Sequence, residues 1–234
     1  MQVFVGTSGW AYSWNEGGNL EWYAKHSKLN AIELNMSFYR FPFPSVIKGW
    51  SKKASDLRWV VKVNKIITHI NRFEKDSLEA WKRFEEIFSP LEQSIDFYLF
   101  QLPPSMKPES KKSIEDFVKK VKELKKDEIK FAIEFRNLEW FKEKEIRWAE
   151  KLGFVVVSVD APKLPRDIYK THEIVYLRMH GRSAWYRHEY SQEELKEIAK
   201  NILKIKPTKV YVFFNNNHAM LKNAREVMKI LNKI

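Results

Sequence analysis

Eight short runs rich in Val, Ile, Phe and Tyr punctuate the 234-residue chain, and amphipathic stretches separate most of them. The runs are Val3–Gly6, Ala31–Asn35, Trp59–Asn64, Phe97–Gln101, Phe131–Arg136, Val155–Asp160, Ile174–His180 and Lys209–Asn215. Continuous apolar runs of this length read as strands buried on both faces, which is the signature of a parallel sheet covered by helices. Apolar residues at helical spacing predict the covering helices over Leu20–Lys28, Ser45–Ala54, Asp76–Phe88, Ser110–Leu124, Leu138–Leu152, Ser191–Ile205 and Ala219–Leu231. Ser110 and Ser191 stand at helix starts, and Ser191 opens a capping box with Glu194. The connection after Asp160 carries Pro162 and Pro165 and has little helical pattern, so a loop with at most a short helix is expected there.

Eight strands alternating with helices in this length predict a single, somewhat short (β/α)8 TIM-type barrel spanning residues 1–234, because such barrels run to roughly 250 residues. A doubly wound open sheet is the rival, but GTSGW after the first run lacks the spacing of a dinucleotide fingerprint. The Lys-rich stretch Lys111–Lys130 has Ile114, Phe117, Val118, Val121 and Leu124 at helical spacing, so it reads as a solvated helix face.

Side chains two apart share one face of a strand. Glu33 and Asn35, Lys62 and Asn64, Gln101, Glu134 and Arg136, Ser158 and Asp160, Arg178 and His180, and Asn215 all fall late in otherwise apolar runs. In a barrel these are the carboxyl ends of the strands, where active sites are built. Glu33, Glu134 and Asp160 would meet Lys62, Arg136 and Arg178 there, and unpaired charge is too costly to bury, so these groups pair with one another or with a ligand. Glu33, Glu134 and Asp160 with His69 or His180 are acceptable metal ligands, but no close ligand pair occurs and the neighbouring cations oppose a metal. Neither a metal nor a cofactor is assigned.

Other properties narrow the function class. A 44% hydrophobic and 15% aromatic composition with only 7 Gly and 9 Pro excludes a disordered chain. The absence of cysteine removes thiol nucleophiles and thiolate metal sites and fits a cytoplasmic protein. The N-terminus shows no secretory signal and no stretch reaches membrane-spanning length, so no membrane partner is expected. Abundant Lys and Glu without Cys resemble thermophile usage, although Asn is not depleted.

GTSGWAYSW (6–14), AIELNMSFYRFP (31–42), VKVNKIITH (61–69), FQLPPS (100–105), AIEFRNLEW (132–140), VSVDAP (157–162), YLRMHG (176–181) and FFNNNHAMLKNA (213–224) resemble the YecE-like family, number seventy-two among the domain-of-unknown-function families. The resemblance implies a TIM-type barrel and no particular reaction. It also implies a mouth made of Gly6, Ser8, Trp10, Tyr12, Glu33, Asn35, Tyr39, Arg40, Lys62, His69, Gln101, Glu134, Arg136, Trp140, Asp160, Arg178, His180, Asn215 and Asn216. Asn217 and His218 depart from the family pattern, which expects an acidic residue and often a glycine there.

Three functions fit. The first is an enzyme of hydrolase-like general acid/base chemistry acting on an anionic, phosphorylated or sugar- or nucleotide-like small molecule. In it Glu134 works with Asp160 or His180, while Lys62, Arg136 and Arg178 hold the anion. Trp10, Tyr12, Tyr39 and Trp140 would stack on a sugar or base. The second is nucleic-acid binding or processing, suggested by the net charge of +12 and by Arg182, Trp185, Tyr186, Arg187 and His188. The third is a non-catalytic ligand sensor using the same pocket. The sequence leaves the oligomeric state open.

Overall fold

The computed structural model describes residues 1–124 and 130–233; residues 125–129, at the end of the Lys-rich stretch, lie outside them. Eight parallel strands close into a barrel: β1 (Gln2–Ser8), β2 (Ala31–Leu34), β3 (Arg58–Lys62), β4 (Ile95–Gln101), β5 (Phe131–Glu134), β6 (Phe154–Asp160), β8 (Ile174–Met179) and β9 (Lys209–Phe214). Closure comes from β6 pairing with β8 and from β9 pairing with β1. The two-residue strand β7 (Lys170–Thr171) folds back antiparallel on β8. The Pro-containing segment after β6 thus adds a strand and no helix, as a chain lacking helical periodicity should.

The outer layer is α1 (Leu20–His26), α3 (Pro44–Lys53), α4 (Ser77–Phe88), α5 (Lys111–Leu124), α6 (Glu143–Leu152), α7 (Gln192–Lys204) and α8 (Met220–Asn232), with a single turn α2 (Met36–Tyr39) after β2. The capping box at Ser191 forms: its side chain accepts from the Glu194 amide, and Glu194 accepts from the Ser191 amide. Ser110 instead closes a short 3-10 turn, Pro108–Ser110, ahead of α5. The helix expected over Leu138–Leu152 is split into a 3-10 turn, Leu138–Phe141, and α6.

Two apolar layers follow from strand alternation. Ala31, Val60, Leu99, Ala132, Tyr176, Tyr211 and Phe213 fill the barrel, while Ile32, Val61, Phe100, Ile133, Leu177 and Val212 face the helices. Deep in the barrel Phe4 stacks on Tyr211 at 4.7 Å, and Phe97 meets Tyr211 edge-on at 5.0 Å. Gly6 is required by this packing, because a Cβ there would lie 2.3 Å from the Ala31 carbonyl oxygen. The charged residues of the strand ends sit as a lid of polar groups above this aromatic plug.

Candidate functional site

Alternation carries Ser8 (β1), Glu33 (β2), Lys62 (β3), Gln101 (β4), Glu134 (β5) and Arg178 (β8) to the carboxyl-end mouth, with Asn35, Arg136, His180 and Asn215 just beyond their strands. Arg178, fully buried, is the hub. Its guanidinium donates to Glu134 Oε2, to Glu33 Oε1 at 2.5 Å and to Asn35 Oδ1 at 3.5 Å. Glu33 also accepts from Ser8 Oγ at 2.5 Å and from the Tyr176 hydroxyl at 2.6 Å. Burial, and then the Glu33 charge, pushes the Tyr176 phenol well above its ordinary range, so it remains a donor.

Glu134 is shared between two arginines, since Arg136 Nε also reaches its Oε1. Burial by itself would push the Glu134 carboxyl up, but Arg136 and Arg178, helped by His180, hold it well below the usual carboxylate range. It is therefore a fixed anion at neutral pH. His180 is driven the other way: burial, and then the Arg178 charge, lowers it to about 3, so the ring is neutral. Its Nε2 faces Arg136 Nη2 at 3.2 Å, and an arginine only donates, so Nε2 accepts. On the other side of the ring, Asn215 Nδ2 lies 3.3 Å from Nδ1.

Lys62 stands apart from this web. Its Nζ donates to Gln101 Oε1 at 2.7 Å and lies 4.1 Å from the centre of the Phe38 ring. Among the described residues no carboxylate comes within ion-pair distance of it. Burial, followed by the positive charge of Arg178, lowers Lys62 to about 7, outweighing the pull of Glu134 and Glu33. The same field acts on half-buried His69, whose value falls to about 4 through burial and then through Lys62 and Arg136. His69 lies on a π-helical turn, Ile66–Ile70, packs edge-on against Phe38 at 4.9 Å and pairs with the Thr68 hydroxyl.

Several expected mouth residues lie elsewhere. On β6 it is Val155, Val157 and Val159 that enter the barrel, so Ser158 and Asp160 face outward, reversing the side inferred for that strand. Asp160 accepts from Arg182 Nε at 3.0 Å and from the Tyr190 hydroxyl at 3.0 Å, behind the wall. Alternation in FVVVSVD puts Ser158 and Asp160 on one face but does not say which face turns inward, and here polar partners behind the wall, the Tyr169 amide, Arg182 and Tyr190, hold that face outward. Trp140 is fully buried, stacked on Phe135 at 4.8 Å, with its indole N–H donating to the Met106 carbonyl, and presents no face to a ligand. Asn216 is buried outside the mouth, donating to the His188 carbonyl and Asn223. Trp10 packs edge-on against Trp50 and Trp59 on the helix side.

Tyr12 and Tyr39 stay near the rim: the Tyr12 hydroxyl reaches the Ser8 carbonyl, and Tyr39 is 68% exposed. Arg40 is exposed after α2, its Nη2 against Met36 Sδ. Three residues outside the expected mouth also contribute, of which Trp185 belongs to the cluster that suggests nucleic-acid binding. Tyr176 shares the inward face of its strand with Arg178, Phe38 lies within the AIELNMSFYRFP motif, and Trp185 lies 4.6 Å from the Arg136 guanidinium. Trp185 sits on the loop after Gly181, whose φ of +110° and tight contact with Ala184 make the turn a glycine position.

Residues 4–234 match the family model described as "Protein of unknown function DUF72". The chain belongs to the DUF72 family. Among solved structures it resembles a DUF72 family protein from Enterococcus faecalis, at 23% identity and TM-score 0.82, over 99% of this chain and 96% of that one. A DUF72 family protein from Thermotoga maritima is 29% identical with TM-score 0.81, over 99% and 100%. A xylose isomerase domain containing protein from Salmonella typhimurium aligns over 91% and 90% with TM-score 0.52 at 12% identity, a likeness of fold alone. No curated protein matches the sequence. Among the described residues of this DUF72 chain no helix is long and apolar enough to cross a membrane, and no group of three or more His, Asp or Glu is arranged to hold a metal ion.

Proposed function

We propose that the mouth binds a small anionic molecule, phosphorylated or carboxylated and sugar-like in its hydroxyl content, and that the protein is an enzyme moving protons on it. The observation that carries this reading is Lys62, a buried ammonium with a carboxamide and a ring for company and, among the described residues, no carboxylate within ion-pair distance. Three cations (Lys62, Arg136, Arg178) face two carboxylates (Glu33, Glu134), and a ligand anion would balance the excess. Ser8, Asn35, Gln101 and Asn215 supply neutral donors and acceptors around the same opening, of the kind that bind hydroxyls.

Glu134, His180 and Asp160 are less suited than Lys62 to acid/base work. Glu134 suits electrostatic orientation, since it carries no proton near neutral pH. Neutral His180 suits accepting a hydrogen bond, Asp160 is outside the mouth, and Lys62, lowered to about 7, is the group poised to give and take a proton. The nucleic-acid reading is less supported: Arg182 is held by Asp160 and Glu197, and His188 by Glu194, which leaves little of that basic cluster free.

Calorimetric titration with inorganic phosphate and with glucose 6-phosphate tests the reading. Binding at pH 6 that weakens at least about tenfold at pH 9, as Lys62 loses its charge, and that is lost to a similar degree in Lys62→Met, is expected. Absence of binding to either anion, or affinity indifferent to Lys62, contradicts it.

A further inference from the structure

We propose that Lys62 is a covalent nucleophile, forming an imine with the carbonyl carbon of a ketone or aldehyde that also carries a phosphate or carboxylate. The inference rests on the reading of the mouth as a small-molecule anion site and names the substrate class it would take.

Lys62 ends β3, so its stem is fixed by the barrel wall while Nζ reaches the mouth, and only 8% of the residue is exposed. A single side-chain hydrogen bond, to Gln101 Oε1, aims Nζ, and the Phe38 ring closes one side. A lysine kept for ion pairing would have found one of the two nearby carboxylates, yet both are taken by Arg178, Arg136, Ser8 and Tyr176. The charged and titratable groups that bear on Nζ are Arg178 from β8, Glu134 and Arg136 from the end of β5, Glu33 from β2 and His69 from the π-helical turn. Arginines cannot give up their protons, so the strain of like charge falls on the lysine. Desolvation together with cationic neighbours is the recognised way to keep a lysine amine unprotonated and nucleophilic at neutral pH. With Lys62 lowered to about 7, roughly half of it is free amine at pH 7, against about one part in three thousand for an ordinary lysine, a gain of about a thousandfold.

The step balances without any further reagent. The Nζ lone pair forms a bond to the carbonyl carbon as the carbon–oxygen π pair moves to oxygen. One amine hydrogen passes to that oxygen to give the carbinolamine. The carbon–oxygen bond then breaks, the second amine hydrogen leaves with it as water, and the nitrogen–carbon double bond forms. No electrons are exchanged with an outside partner. Arg136, next to the mouth and stacked by Trp185, provides positive charge for the substrate's anionic group.

The test is reductive trapping on the intact chain. Dihydroxyacetone phosphate and uncharged dihydroxyacetone are each incubated with the protein and sodium cyanoborohydride, and the modified lysines are mapped by peptide mass spectrometry. The expected result is one dominant adduct on the Lys62 peptide, with a labelling rate that is half-maximal near pH 7, faster for the phosphorylated ketone and suppressed by excess inorganic phosphate. Mapping reads the site in the wild-type chain, so the conclusion does not depend on a variant folding; Lys62→Arg serves as a charge-conserving control that should lose the adduct. Labelling spread evenly over surface lysines, or a Lys62 peptide that stays unmodified while others react, overturns the imine. If phosphate binds but Lys62 is not trapped, the imine fails and the anion site stands. If Lys62 is trapped equally by both ketones and phosphate neither binds nor competes, the imine stands and the anion reading fails.

Discussion

The two sides of the barrel mouth treat charge differently. On one side Arg178 bridges Glu33 and Glu134, Arg136 takes a second oxygen of Glu134, and Ser8 and Tyr176 complete Glu33. On the other side Lys62 has a carboxamide and a phenyl ring. Both Arg178 and Lys62 are buried, and both are basic side chains at the carboxyl-end mouth. The difference teaches that a cluster of buried charges is not one thing: a saturated web fixes the strands relative to one another, while a lone cation held against its own solvation is a feature kept for something other than stability.

Removing the hub breaks the comparison most severely. Arg178→Met leaves two buried carboxylates without their shared guanidinium, and the expected loss is about 3–5 kcal/mol in denaturant unfolding. Adding Glu134→Gln to it should cost much less than the sum of the single changes, because the two residues share one interaction. Single changes that leave the unfolding midpoint in place would show that the web is not structural. Asp160→Asn comes next. It weakens contacts to Arg182 and Tyr190 behind β6, with an expected loss of about 1–3 kcal/mol and no change in phosphate affinity. A loss of phosphate binding with stability unchanged would return Asp160 to the mouth. Trp185→Leu is the mildest: the stack on Arg136 is partly exposed, so a change under about 1 kcal/mol is expected in stability, with phosphate affinity altered a few-fold.

Much of this molecule is legible in its sequence, for reasons that can be located. The order of strands and the closure into a barrel follow from apolar runs such as Val155–Asp160 and Lys209–Asn215, whose β propensity and length permit little else. Where polar residues alternate with small or apolar ones, as in Ala31–Glu33–Asn35 or Ala132–Glu134–Arg136, the inward face is readable and the mouth residues with it. In β6 the same alternation of Ser158 and Asp160 marks a face that turns outward, because Arg182 and Tyr190 satisfy Asp160 behind the wall while Val155, Val157 and Val159 fill the barrel. Trp140 and Trp10 fail for another reason. An aromatic near a strand end packs as readily under the rim as over it, and only the positions of Phe135, Trp148, Trp50 and Trp59 decide. Which cations are paired is likewise a property of three-dimensional placement: Lys62 and Arg178 look alike in sequence.

The pH dependence of stability tests the division most directly. A lysine lowered to about 7 in the folded chain, against about 10.5 unfolded, binds fewer protons folded than unfolded between those values, so its penalty is full below pH 7 and is relieved as pH rises toward 10.5. Unfolding free energies of the wild type and Lys62→Met, measured from pH 6 to pH 10, should therefore start with the variant more stable at pH 6 and shift in the wild type's favour by about 4 kcal/mol by pH 10, at about 1.4 kcal/mol for each unit by which the lysine is lowered. A variant that is less stable than the wild type at pH 6, with a gap that does not change with pH, would contradict the account and make Lys62 one more strut of the barrel.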